Sequence, residues 1–321
     1  MTGLKTKTIK SVLRNLTNAW LESLPDDMRA RVKADTIVTG GCIASMLLGE
    51  PVNDIDIYFR TQATAKLVAD HYVKEFVAAR KARIGIDIPI YVEEMQDVRG
   101  DPRVRIVIKS AGVESDKKVG AEYAYFEGRP PEEAGDYIGE VYDDPATISD
   151  LSEETKEAVA ELEPEKEFRP VFLSSNAITL SREIQIIIRF FGSPDEIHAN
   201  YDFAHCMNYW DAATGELGLR PQALESLLSR SLVYNGSRYP VASLFRIRKF
   251  IERGWRINAG QIVKMALQIS ELDLTKFDVL EDQLTGVDVA YFQQVLDTAK
   301  ERGADKIEGA YLIEIINRMF D

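Results

Sequence analysis

Cysteine, histidine and long apolar runs are all scarce in this chain, and each scarcity removes a class of protein. Only Cys42 and Cys206 occur among 321 residues, in no C-x-x-C spacing. A disulfide framework is thereby excluded, in agreement with a reducing compartment. Histidine numbers three, so His198, His205 and Cys206, although near one another in sequence, lack the further ligands of a tetrahedral zinc set. No apolar run reaches the roughly 18 residues that a membrane span requires. Lys5, Lys7 and Lys10 interrupt the N-terminus where a secretory signal needs an apolar core. Cytoplasmic residence and the absence of a membrane partner are the resulting expectations. There is no Gly-Lys-Ser/Thr phosphate loop, no G-x-G-x-x-G fingerprint and no fixed-period repeat.

What is present is a chain long enough for two domains, with ordinary apolar (45%) and charged (28%) fractions. The net charge of −13 is unevenly placed. Between Glu132 and Glu167 fourteen acidic residues face only Lys156 and Lys166, a net of −12. From Arg220 to Lys264 nine basic residues against Glu225 and Glu252 give +7. A polyanion such as RNA is drawn to the second stretch and repelled by the first.

The chemistry concentrates in residues 39–59, TGGCIASMLLGEPVNDIDIYF. Gly40 and Gly41 follow a short apolar run, Thr36 to Thr39, and open an apolar helix, Cys42 to Leu48. Glycines where a strand turns into a helix allow close backbone approach and leave N–H groups aimed at an anion. Ser45, one turn on, adds a hydroxyl to the same cradle. A tight turn then leads into a strand carrying Asp54 and Asp56. Strand side chains alternate, so residues i and i+2 share a face, and two carboxylates so placed can hold a divalent metal.

Gly-Gly, a short helix ending Leu-Leu-Gly, then Asp-Ile-Asp closely resembles the head of the DNA polymerase β-like nucleotidyltransferase superfamily, nearest its CCA-adding and poly(A) polymerase branch. In that branch Arg-Asp stands where this chain has Ala44 and Ser45, a departure that bears on the substrate and not on the metal pair. The resemblance implies an α+β fold: a head with a mixed sheet, followed by an all-helical C-terminal domain. It implies two magnesium ions and attack of a hydroxyl on the α-phosphate of a nucleoside triphosphate such as ATP, chemistry that rests on positioning and charge neutralisation. It also implies a third carboxylate from a later strand. Asp202, between Tyr201 and Phe203, is the candidate, giving Asp54, Asp56 and Asp202 as catalytic metal ligands with Gly40, Gly41 and Ser45 on the phosphates.

The rest of the chain is read around this head. Residues 7–24 have helical apolar spacing and are expected to cover the head; a helix is expected near Ala63 to Ala82. Strands are expected at Ile88 to Val92, Val104 to Lys109, Glu122 to Phe126, Ala177 to Leu180 and Glu183 to Phe191. The acidic stretch, about 127–169, reads as a solvated insertion with one charged helix over 150–162, or alternatively as a flap for a protein partner. The head then spans 1–219 and a helical domain 220–321, with helices at Gln222 to Leu232, Val241 to Arg253, Ala259 to Ser270, Val287 to Arg302 and Ile307 to Phe320.

LFRIRKFIERGWRI, residues 244–257, resembles the neck helix of the same family through Arg246, Lys249, Phe250, Gly254 and Trp255. The resemblance implies that Arg246 and Lys249, which share a helix face, reach the triphosphate. The expected function is metal-dependent transfer of NMP from an NTP to a hydroxyl, with an RNA 3′ end as acceptor. A protein hydroxyl is the alternative acceptor, and a non-catalytic nucleotide- or RNA-binding module the alternative class.

Overall fold

The computed structural model describes residues 3–84, 89–97, 100–108, 168–182 and 184–276, with 279, 280 and 283. The chain divides into two compact units, one formed by residues 1–113 with 157–233 and the other by 114–156 with 234–321. The first is a mixed α+β unit. Its elements in order are α1 (Thr6–Ser23), α2 (Asp26–Asp35), β1 (Thr36–Thr39), α3 (Gly41–Leu48), β2 (Ile55–Phe59), α4 (Gln62–Ile84) and β3 (Ile90–Gln96). They continue with β4 (Pro102–Ile108), β5 (Pro170–Leu173), β6 (Ala177–Leu180), β7 (Ile184–Phe191), α5 (Pro194–His198), β8 (Tyr209–Asp211), β9 (Leu217–Gly218) and α6 (Pro221–Ser229).

Seven strands form one sheet in the order β5-β6-β7-β2-β1-β8-β9, and β3 pairs with β4 as a separate antiparallel hairpin. In the larger sheet β2 runs parallel to β7 and antiparallel to β1, so the sheet is mixed. Register makes its two faces unlike. Val38, Ile57, Ile186 and Trp210 meet across β8, β1, β2 and β7 and lie in the main core, under 3% exposed. One residue out of step, Ile37, Tyr58 and Asp56 point the other way, Asp56 opposite Gln185.

The apolar face is covered as the sequence patterning requires. Ile9, Leu13, Trp20 and Leu21 recur at helical spacing on α1, are buried, and join the main core, so the N-terminal helix is the expected cover. The Trp20 indole donates to the Tyr72 hydroxyl at 2.8 Å and ties α1 to α4. α2 has weak apolar periodicity and was not anticipated. It begins after Pro25, carries Asp26 and Asp27 against the positive end of its dipole, and buries only Met28 and Val32.

The second unit, among its described residues, contains α7 (Pro240–Glu252) and α8 (Ala259–Ser270). Gly254, at φ +81°, follows the end of α7 as expected of a helix stop, and Asn258 caps α8 by accepting from the Gln261 N–H. On α7 Ile247 packs inward, whereas Ile251 is 50% exposed. The strand expected at 122–126, the charged helix at 150–162 and the helices at 287–302 and 307–320 lie outside the described residues. No helix among the described residues is long and apolar enough to cross a membrane.

Candidate functional site

β1 delivers the chain to Gly40 at φ +110°, a conformation that L side chains rarely adopt. A Cβ built there would lie 2.4 Å from Asp56 Oδ2, so the carboxylate fills the space that the missing side chain leaves. Glycine is thus required twice, by the backbone and by Asp56. The Gly40 N–H donates to the Cys206 carbonyl at 3.2 Å and is not left for an anion. Of the two glycines expected to cradle phosphate, Gly40 therefore shapes the turn.

Gly41 stands differently. It is the first residue of α3, is exposed, and a Cβ on it would meet nothing within 4 Å. No side chain caps α3, and the positive end of its dipole lies at Gly41. Ser45 lies one turn along the same helix, half-buried. Gly49, left-handed at φ +72°, ends α3 and turns the chain toward β2.

Asp54 immediately precedes β2 and Asp56 lies within it; both are half-buried. Burial pushes the Asp56 carboxyl well above the usual carboxylate range, and the Asp54 charge pushes it further. The Cys42 thiol is buried beside the pair and is also pushed up, first by burial and then by Asp56 and Asp54, although the Ile43 and Asp56 backbone N–H groups partly compensate.

A polar network backs the glycine turn. The Thr39 hydroxyl lies 2.8 Å from both the Asn208 carbonyl and His198 Nε2. Its single proton goes to the carbonyl, so His198 donates from Nε2. Burial, followed by the Arg220 charge, lowers the His198 pKa to about 4. Tyr201 completes this wall; burial raises its phenol, and the nearby Tyr58 and Asp56 raise it further. Arg220 lies over the Tyr209 ring and pairs with Asp195 on α5.

Asp202 departs from expectation. It occupies a bend ahead of a 3-10 turn at Ala204–Cys206, not a strand, and its charge bears on His205. The flanking aromatics that suggested a strand serve the loop: Phe203 is buried, and Tyr201 packs against Tyr58 and His198. Among the described residues no three His, Cys, Asp or Glu side chains come together as metal ligands, so Asp202 does not join Asp54 and Asp56. Arg246 and Lys249 both lie on α7 in the second unit, the first half-buried and the second exposed.

The donor set bears on the metal. Magnesium prefers hard oxygens and is commonly held by one or two carboxylates together with substrate phosphates. A carboxylate pair beside a helix N-terminus without a side-chain cap fits one such ion with its phosphates.

Sequence reasoning passed over Thr39, Tyr58, Tyr201 and Gln185. Tyr58 was accessible from the alternation that pairs Asp54 with Asp56. Gln185 was visible as the polar interruption of the apolar run Ile184 to Ile188. No local pattern marks Thr39, whose partners His198 and Asn208 lie far away in sequence, or the contact of Tyr201 with Tyr58.

Residues 11–230 match the model of a family described as "Gabija anti-defense 2 family protein". A relative, "Gabija anti-defense 2" of Bacillus phage SPbetaL7, is 24% identical over 121 residues, which make up 37% of this chain and 30% of that protein. The chain thus spans under a third of the length of that relative. Among solved structures, the Thermotoga maritima CCA-adding enzyme complexed with tRNA is 12% identical, with a TM-score of 0.35, over 88% of this chain and 54% of that one. A likeness that slight gives no support to a shared fold or activity.

Proposed function

Since the chain belongs to the Gabija anti-defense 2 family, we propose that it counters a defence system by nucleotidyl transfer from a magnesium-bound nucleoside triphosphate to a hydroxyl acceptor. One observation carries the reading: the Asp56 carboxylate is seated on Gly40, at the mouth of an uncapped helix and next to Asp54. Asp54 and Asp56 hold the ion through their oxygens. The ion, when bound, neutralises charge on the α-phosphate and on the leaving pyrophosphate.

The protein's own part is placement. Gly41 leaves room for phosphate oxygens against the first-turn amides of α3, and Ser45 offers a hydroxyl along the same helix. Thr39 and His198 hold the segment at residues 206–208 against the turn, and so hold Gly40 under Asp56. An RNA 3′ end suits the basic stretch at residues 220–264. Incubation with magnesium, an α-labelled triphosphate and total RNA or protein tests the proposal. Label should pass to a macromolecule with release of pyrophosphate, and Asp56→Asn should stop it.

A second reading is non-catalytic capture of the nucleotide. It is favoured by the presence of only two carboxylates at the site among the described residues. Magnesium-dependent binding with no pyrophosphate release under any acceptor would select it.

A further inference from the structure

We infer that Gln185 supplies the third protein oxygen to the divalent ion held by Asp54 and Asp56. The inference rests on the metal reading above. β2 and β7 are parallel neighbours, and their register sets Gln185 opposite Asp56. Residues paired in this way project from one face of the sheet, with backbones about 4.8 Å apart, within a side chain's reach of a shared ion.

The flanking residues Ile184, Ile186, Ile187 and Ile188 make Gln185 the polar exception in its run. Its side chain is half-buried and makes no hydrogen bond to another described residue. A half-buried amide without a hydrogen bond to another described residue is available to an external ligand. The Asp56 carboxylate opposite it likewise accepts no side-chain hydrogen bond among the described residues. An amide carbonyl is a hard, neutral oxygen of the kind that magnesium, manganese and calcium accept. Two carboxylates with one amide balance the charge of a single divalent ion, so the site takes one ion per chain.

The test is manganese binding to the full chain, followed by the paramagnetic resonance of free manganese and by thermal melts. The wild type should bind about one ion. Gln185→Leu should weaken binding about tenfold. Gln185→Glu, nearly isosteric, should melt lower without metal, because a third carboxylate joins the pair; it should bind manganese about tenfold more tightly and gain more in Tm on its addition. If both Gln185 variants bind as the wild type while Asp56→Asn loses binding, the inference is wrong and the metal reading stands. If Asp56→Asn also binds as the wild type, the metal reading itself falls. Should Gln185→Leu fail to fold, the Gln185→Glu result decides alone.

Discussion

The two faces of the seven-stranded sheet differ by one residue of register and by almost everything else. On one, Val38, Ile57, Ile186 and Trp210 are buried in the main core. On the other, Ile37, Tyr58 and Ile197 form a small buried cluster beside Asp56 and Gln185. The first face resembles an interior that gains stability from area removed from water. The second carries two carboxylates close enough for the Asp54 charge to raise the Asp56 carboxyl, an arrangement that costs stability in the absence of a ligand. On the proposed function stability and chemistry lie on opposite faces of the sheet, and substitutions on either side should separate cleanly.

The largest expected effect lies on the polar face. Asp56→Asn should lower magnesium-dependent pyrophosphate release on the order of 1,000-fold, about 4 kcal/mol, with Tm unchanged or raised because Asp54 no longer faces a like charge. Kinetics paired with a melt check both halves; a fall in Tm would show that the carboxylate is structural. Ile186→Ala on the apolar face should do the reverse, costing about 3 kcal/mol of stability through the cavity left behind. Denaturant unfolding and nucleotide titration should show lost stability with unchanged affinity, and a loss of affinity would break the separation.

Acid should act next. His198 and His205 are both held neutral by burial, with pKa values lowered to about 4 from 6.5. The unfolded chain therefore takes up protons first, and stability is lost as pH falls from about 6.5 toward 4, by up to about 3 kcal/mol for each histidine. His198→Gln, which keeps a donor for Thr39, should flatten the unfolding profile over that window. The smallest effect belongs to Gly41→Ala. Nothing within the protein opposes the new Cβ, so Tm should hold while nucleotide affinity falls about tenfold, or about 1.4 kcal/mol. Unchanged affinity would remove the mouth of α3 from the site.

Legibility in the sequence followed the range of the interactions involved. The amphipathic stripe of α1, the Gly-Gly turn and the Asp-x-Asp alternation are local patterns, and each stands close to its expected place. α8 spans Ala259–Ser270 as expected, its Asn258 cap and helical spacing being equally local. Asp202 was misread because aromatic flanks suit a buried bend as well as a strand. β8 is only three residues long, and only its pairing with β1 and β9 reveals it. Gln185 gains its meaning from a parallel partner about 130 residues away, and no single-strand pattern encodes that pairing.

Calorimetric titration of the full chain with a triphosphate whose α,β-bridge resists cleavage, in magnesium and in EDTA, on wild type and Asp56→Asn, tests the polar face most directly. The account predicts binding by the wild type in magnesium alone. Equal affinity in EDTA, or in Asp56→Asn, would contradict it.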